Sequence, residues 1–327
     1  MISNVYCTYF NQSYLNRGIV LFRSLAKFES NFIMEVLCFD DFTYDFLCSH
    51  PFGNIRPVRL SDFESRNPAL LAVKPSRTAG EYYFTCTSVW TLDVMSRNGN
   101  ATFITYLDAD MRFFSSPVPI FNLMEDKDIM ICEHHFERNA EKLSTYGRFN
   151  VGWITFRTSE TGCECLRRWA TDCIAWCYDR LEDGKFADQK YLDEWPNRYG
   201  NKLIIAPKSL NLGPWGIGKD ELTVCGNTPV INGEPVILYH YQGLRLFSER
   251  HYYLGYYYHH QVSNILIILC EPYITELISV AREFNLECCR PNSRYSNGSL
   301  PYRLFTGYWM GHARVADFQR MLQQLFR

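Results

Sequence analysis

Short apolar, β-rich runs alternate with longer stretches of helical period over most of this chain, and that alternation constrains its fold more than any other feature. Asn4–Phe10 alternates and is rich in Val, Tyr and Thr, which predicts a strand. Leu15, Ile19, Phe22 and Ala26 then recur at helical spacing over Tyr14–Phe28, with Ser13 placed to cap the helix. Ile33–Phe39 is a second apolar run ending in Asp40-Asp41, and Asn54–Arg59 predicts a third short strand. Pro68–Thr78 reads as irregular around Pro75, Glu81–Met95 as a helix and Thr102–Leu107 as a buried strand. Ile129–Glu133 and Val151–Phe156 add strands, Glu160–Tyr178 an amphipathic helix, and Ala187–Trp195 a helix stopped before Pro196. Leu203–Ala206 and Pro235–Tyr241 are late strands. Strands separated by helices predict an α/β domain: a central, mostly parallel mixed sheet flanked by helices.

The pattern changes near residue 250, where HYYLGYYYHH precedes a helical run at Glu271–Phe284, a Gly-, Pro- and Tyr-rich stretch, and an amphipathic helix at Ala316–Phe326. Residues 1–250 are therefore expected to form the main domain and 251–327 a helical extension packed on it. The face made by Phe318, Met321, Leu322 and Leu325, with Arg314, Arg320 and Arg327 nearby, suits docking on that domain or peripheral contact with a membrane. Tyr252, Tyr253 and Tyr256–Tyr258 carry the same two readings.

With 327 residues, 47% of them hydrophobic and 21% charged, the chain can build a sizeable core and is not disordered. A formal net charge of −2 argues against a general nucleic-acid binder. No apolar run approaches the ~20 residues that cross a bilayer, Ile265–Cys270 being too short. MISNVYCTYF lacks the basic and apolar regions of a signal peptide, so a cytoplasmic setting with 13 free Cys is expected and the sequons at Asn11, Asn100 and Asn297 are not used. Cys163, Cys165, Cys173 and Cys177 do not have the paired spacing of a zinc site. Cys173 and Cys177 share a helical face with Leu166, Trp169 and Ile174, as core residues do.

The sharpest chemical feature is Tyr106-Leu107-Asp108-Ala109-Asp110, which closes a predicted strand where α/β sheets bind ligands. Two carboxylates one residue apart at a strand end can share one hard divalent ion that keeps open positions for diphosphate oxygens. Asp also favours turns, and a bare D-x-D fits that role too.

In context, YLDAD resembles the D-x-D motif of GT-A glycosyltransferases, nearest to the family 8 type of glycogenin and galactosyltransferases. Phe149-Asn150-Val151-Gly152 is similar to that family's F-N-S-G segment, Asp188-Gln189 to its D-Q pair and His240-Tyr241-Gln242-Gly243-Leu244-Arg245 to its H-x-x-G segment. The resemblance spans roughly residues 1–246. It implies Mn²⁺ or Mg²⁺ held by Asp108, Asp110 and His240, and a nucleotide-sugar donor, with UDP as the nucleotide. Asn150, Gly152, Asp188 and Gln189 would face the donor sugar, Asp188 and Gln189 beside its anomeric centre. Cys7, Thr8 and Tyr9 would frame the nucleotide, with Leu107 and Ala109 beside them, and Tyr9 or Phe10 could stack on the base. Gly243 and Arg245 would meet the diphosphate, although Leu246 stands where a Lys is common. Asp41 is a nucleotide contact or a helix cap. Arg77 is a diphosphate contact or a surface charge. Trp215, in the Gly- and Pro-rich loop Asn211–Gly216, is an acceptor platform or a plug at the core edge. Asp193 stands where an Asn often follows the D-Q pair. The acceptor would be a glycan or a lipid-linked glycan, the setting surface polysaccharide or lipopolysaccharide synthesis, and the anomeric configuration would be retained.

Three rivals follow from the same residues. A haloacid-dehalogenase-type phosphatase also uses D-x-D, but on the first strand, and Asn4–Phe10 has none. A nucleotidyltransferase needs a Gly-rich basic loop, and Asn11–Gly18 has one Gly and one Arg. A non-catalytic sugar-nucleotide-binding relative could keep Asp108, Asp110 and His240 for binding alone.

Overall fold

The computed structural model describes residues 4–50, 52–136, 140–218, 220–249, 251–254 and 262–289. Its centre is a seven-stranded sheet of β1 (Asn4–Phe10), β2 (Ile33–Cys38), β3 (Ile55–Arg59), β4 (Phe103–Leu107), β6 (Ile129–Glu133), β7 (Phe149–Arg157) and β8 (Leu203–Ile205), in the order β3-β2-β1-β4-β7-β6-β8. The short β5 (Met111–Phe113) lies outside it. Only β7 runs against its neighbours, pairing antiparallel with β4 and β6, while the other pairings are parallel. The strands read as apolar almost throughout because both faces are covered. In β1, Tyr6 and Phe10 enter one core cluster and Val5 and Cys7 the other, as the period of two requires.

On one face lies helix α1 (Leu15–Ala26), and on the other α3 (Ala79–Arg97) packs against α4 (Glu160–Ala175); α2 (Asp41–Ser49) links β2 to β3. The N-terminus of α3 is a capping box in which Thr78 and Glu81 satisfy each other's backbone N–H, and Glu81 also accepts from Asp179 N at 3.1 Å. Cys173 and Cys177 are buried free thiols, as expected of core residues.

Three local expectations need correction. Ser13 does not cap α1: Asn11 Oδ1 accepts from Ser13 N at 3.0 Å and caps a short 3₁₀ turn, and the helix proper starts at Leu15. Pro68–Thr78 is not irregular, because Pro68 opens a helix over Pro68–Val73 and a 3₁₀ turn follows at Lys74–Ser76. Pro196 likewise lies in the first turn of Trp195–Tyr199 and does not end a helix; residues Gln189–Glu194 before it are 3₁₀. Both prolines sit where no intrahelical N–H is needed, so the ring's fixed φ helps the turn form.

Strands β9 (Leu222–Cys225), β10 (Thr228–Ile231) and β11 (Glu234–Pro235) form a small separate sheet. β12 (Leu238–His240) pairs antiparallel with β5, setting His240 opposite Met111. Helix α5 (Glu271–Phe284) packs along α1: Glu276 takes two bonds of 3.0 Å from Arg112 and one of 2.9 Å from Lys27, and Arg23 forks onto Glu283. Tyr241 and Tyr273 stack with centroids 3.6 Å apart, and Tyr241 donates to Leu269 O at 2.8 Å. The segments around Tyr256–Tyr258 and Ala316–Phe326 lie outside the described residues. No helix among the described residues is long and apolar enough to cross a membrane.

Candidate functional site

The loop after β4 carries Asp108 and Asp110 and is pinned from both sides. Asp108 N donates to Gly152 O of β7 at 3.1 Å, and Tyr241 N donates to Asp110 O at 2.8 Å. The β5–β12 pairing then brings His240 Nε2 to 3.1 Å from Asp110 Oδ1 and 3.6 Å from Asp108 Oδ2. One ligand atom from each of the three lies within 4.8 Å of the others. Two carboxylates and an imidazole nitrogen so spaced fit a divalent ion of the Mg²⁺ or Mn²⁺ kind.

Burial raises the Asp108 carboxyl above its usual range; Asp110 adds to this and His240 opposes it. For Asp110, burial also acts upward, but His240 and Arg17 outweigh it and hold the group low. Burial would depress His240, yet Asp110 and Asp108 raise it. Tyr106 donates to Asp108 Oδ1 at 2.8 Å.

Behind the cluster, a hydrogen-bonded floor fixes β7. Asn150 Oδ1 accepts from Gly152 N and from Asn211 Nδ2, each at 2.8 Å, and Asn150 Nδ2 faces His134 Nε2 at 3.2 Å. His134 Nδ1 reaches Arg148 O at 3.1 Å, so Nδ1 carries the proton and Nε2 accepts. Burial holds the His134 imidazole down at about 4. A Cβ at Gly152 would lie 2.6 Å from Met111 Cε, 2.7 Å from Asn150 Oδ1 and 2.8 Å from His240 Nδ1, so only glycine fits.

These groups open on a cavity of about 390 Å³. One wall is aromatic: Tyr9 meets Phe39 at 5.3 Å and Tyr106 at 5.7 Å, and Phe39 meets Tyr83 at 4.4 Å. Asp188 lies across it. Burial pushes the Asp188 carboxyl up to about 7, with Asp108 adding and a Thr87 hydrogen bond opposing. Tyr9 shares that Thr87 hydroxyl at 3.1 Å. Gln189 donates to Tyr146 O at 2.9 Å and packs over Gly147, whose φ is +135°. Asp193 accepts from Arg148 N at 2.8 Å and from Lys190, tying this segment to β7.

Of the residues expected from sequence, Tyr9, Phe10, Asp108, Ala109, Asp110, Asn150, Asp188, Gln189 and His240 line the cavity, and Gly152 lies directly beneath it. Others lie elsewhere. Cys7 and Thr8 are fully buried, the Cys7 thiol against Thr91 and the Thr8 carbonyl accepting from Trp90. Leu107 turns its side chain into the core. Asp41 is an exposed first-turn residue of α2 paired with Arg59, and the cap and the bond to Gln12 N belong to Asp40. Arg77 stacks on Tyr178 and donates to Ile174 O at 3.1 Å. Trp215 is buried, its ring perpendicular to those of His134 and His240, so it backs the cluster and offers no open platform. Gly243 sits in a turn with φ +79°, Arg245 is exposed and Leu246 enters the core. Reasoning from sequence missed Tyr14, Tyr83, Thr87, Tyr106 and Gln242 in the walls, and His134 and Asn211 in the floor. Of these, Tyr106, adjoining the D-x-D, and Gln242, inside the H-x-x-G segment, carried a local signal.

No protein-family model matches the sequence. The chain is 29% identical over 255 residues to the uncharacterized protein YfnF of Bacillus subtilis, covering 76% of this chain and 84% of that one. It is 26% identical over 278 residues to YfnD of the same organism, covering 83% and 88%. Among solved structures it is similar to an active-site mutant of LgtC, with a TM-score of 0.51, 14% identity, and 84% of this chain and 95% of that one covered. The galactosyltransferase LgtC in complex with donor and acceptor sugar analogues gives a TM-score of 0.50 with the same identity and coverage. The fold is thus that of the GT-A glycosyltransferases.

Proposed function

We propose that this chain is a glycosyltransferase that takes a hexosyl group from a nucleoside-diphosphate sugar, with UDP as the nucleotide, and delivers it to a glycan or lipid-linked acceptor. The observation that carries the reading is the convergence of Asp108, Asp110 and His240 at the carboxyl edge of the sheet, opening on a cavity that also holds Asp188. Asp108, Asp110 and His240 would hold Mn²⁺ or Mg²⁺, which when bound neutralises charge on the departing diphosphate. Tyr9 and the neighbouring rings give the base an apolar wall to stack against. Asn150, rigid through both ends of its amide, and Gly152, which leaves room beside it, shape the floor under the sugar. Asp188 and Gln189 face the anomeric side, and the turn at Gly243, with Arg245 after it, serves the diphosphate. Retention of configuration is what the resemblance to the family 8 enzymes implies, with the buried Asp188 carboxyl as the candidate group on that side. Synthesis of a surface polysaccharide is the setting this chemistry suits.

The test is calorimetric titration of UDP with and without Mn²⁺, on the wild type and on Asp110→Asn. Binding is expected to require Mn²⁺ and to weaken at least about tenfold in the variant, the loss of one charged ligand being worth more than ~1.4 kcal/mol. If neither UDP nor GDP, CDP or dTDP binds in the presence of the ion, the reading is wrong.

A further inference from the structure

We propose that Arg17 is a positioning residue of this site, a fixed cation that biases it toward a diphosphate; the inference rests on the donor-site reading above. Helix α1 delivers the Arg17 side chain, only 13% exposed, to the junction of three parts of the site. Its guanidinium lies over the Tyr14 ring, 4.6 Å from the centroid, and Tyr14 lines the cavity. Nη2 donates to Leu244 O at 2.8 Å, in the turn that contains Gly243 and is closed by Leu244 N to Tyr241 O at 3.0 Å. Nη1 stands 3.9 Å from Asp110 Oδ2.

This arginine differs from the equally buried Arg112 and from the more exposed Arg97. Arg112, also 13% exposed, forks onto Glu276 at 3.0 Å, and Arg97 reaches Glu35 at 2.5 Å. The carboxylate nearest Arg17 is further off and already engaged, since Asp110 Oδ1 faces His240 and belongs to the metal cluster. Among the described residues this sequestered guanidinium has no carboxylate of its own, which is costly unless another anion answers it. Asp108 and Asp110 together carry two negative charges, which one divalent ion cancels. Arg17 then leaves the loaded cluster one positive charge in excess, in a partly enclosed cavity where charge acts more strongly than in water. An anion of higher charge gains more from that excess, so the cation favours a nucleoside diphosphate over the monophosphate. The bond to Leu244 O holds the charge and the Gly243 turn in one frame.

The test compares wild type, Arg17→Gln and Arg17→Lys by calorimetry with UDP and with UMP in Mn²⁺, and by titration with MnCl₂ alone, with circular dichroism as the check on folding. For Arg17→Gln, UDP binding is expected to fall about tenfold or more and UMP binding about threefold or less, from the reach of a single charge at this range. Mn²⁺ alone should bind as well or more tightly, since a cation near its ligand has gone. Arg17→Lys should keep the preference for UDP over UMP, and it decides alone if Arg17→Gln does not fold. Equal weakening of UDP and UMP, or weaker Mn²⁺ binding in Arg17→Gln, would assign Arg17 a purely structural role and overturn the proposal; so would loss of the preference in Arg17→Lys. Failure of the donor-site reading is distinguishable, because it shows in the wild type as no Mn²⁺-dependent UDP binding.

Discussion

At the scale of single residues, the site depends on a few atoms having no freedom. Gly152 is the clearest case, since a methyl there would collide with Asn150 Oδ1, Met111 Cε and His240 Nδ1 at once. Gly152→Ala is expected to leave the fold intact and displace His240, weakening Mn²⁺ binding at least about tenfold, because overpacking of this kind costs roughly 1–3 kcal/mol. Mn²⁺ titration with a parallel thermal melt checks this; unchanged affinity would show that the strand simply shifts. His134 makes a second prediction. Its folded-state pKa, about 4, lies below the ordinary 6.5, so the fold holds the neutral ring. Above pH 6.5 both states are neutral and nothing is lost. As pH falls from 6.5 toward 4 the unfolded chain gains the proton first, and stability drops by up to about 1.4 kcal/mol per pH unit. Urea unfolding from pH 7.5 to 5 should show this slope, and His134→Gln should flatten it; identical slopes would remove the buried neutral ring from the account.

At the scale of elements, α3 is set by its first turn. Thr78→Ala removes the hydroxyl half of the capping box and is expected to cost about 1 kcal/mol in a denaturant melt while leaving Mn²⁺ binding unchanged. The elements show what the sequence makes legible. β1, β4 and β7 could be read because their apolar runs must serve two buried faces, and YLDAD could be read because its carboxylates are one residue apart just past the strand that positions them. Pro68 and Pro196 misled because a proline that breaks a helix interior begins one equally well. Asp40 and Asp41 could not be told apart as cap and first-turn residue, the choice turning on one backbone dihedral. Arg17, His134 and Asn211 carried no local signal at all, since each owes its place to partners far along the chain.

Across the whole molecule, α5 closes the core that lies beneath the site. Its Glu276 pairs with Arg112 of β5 and its Glu283 with Arg23 of α1, while the Tyr241–Tyr273 stack supports the strand end that presents His240. Glu276→Gln leaves the little-exposed Arg112 one neutral amide oxygen in place of a carboxylate. Because Glu276 itself is 30% exposed and solvent screens the pair, a loss of about 1–2 kcal/mol is expected rather than the larger figure for a dry pair. Thermal unfolding measures it, and a value near zero would mean that Lys27 or water replaces the contact without cost. The pairing of β5 with β12 has a further consequence, for synthesis. The D-x-D loop leaves the ribosome long before β12 does, and non-local pairings of this kind form late. A nascent chain halted between them holds two carboxylates without their imidazole, so a partly made copy lacks one of the three groups that could hold an ion. The three-residue cluster therefore exists only once translation has passed residue 240 and β12 has docked.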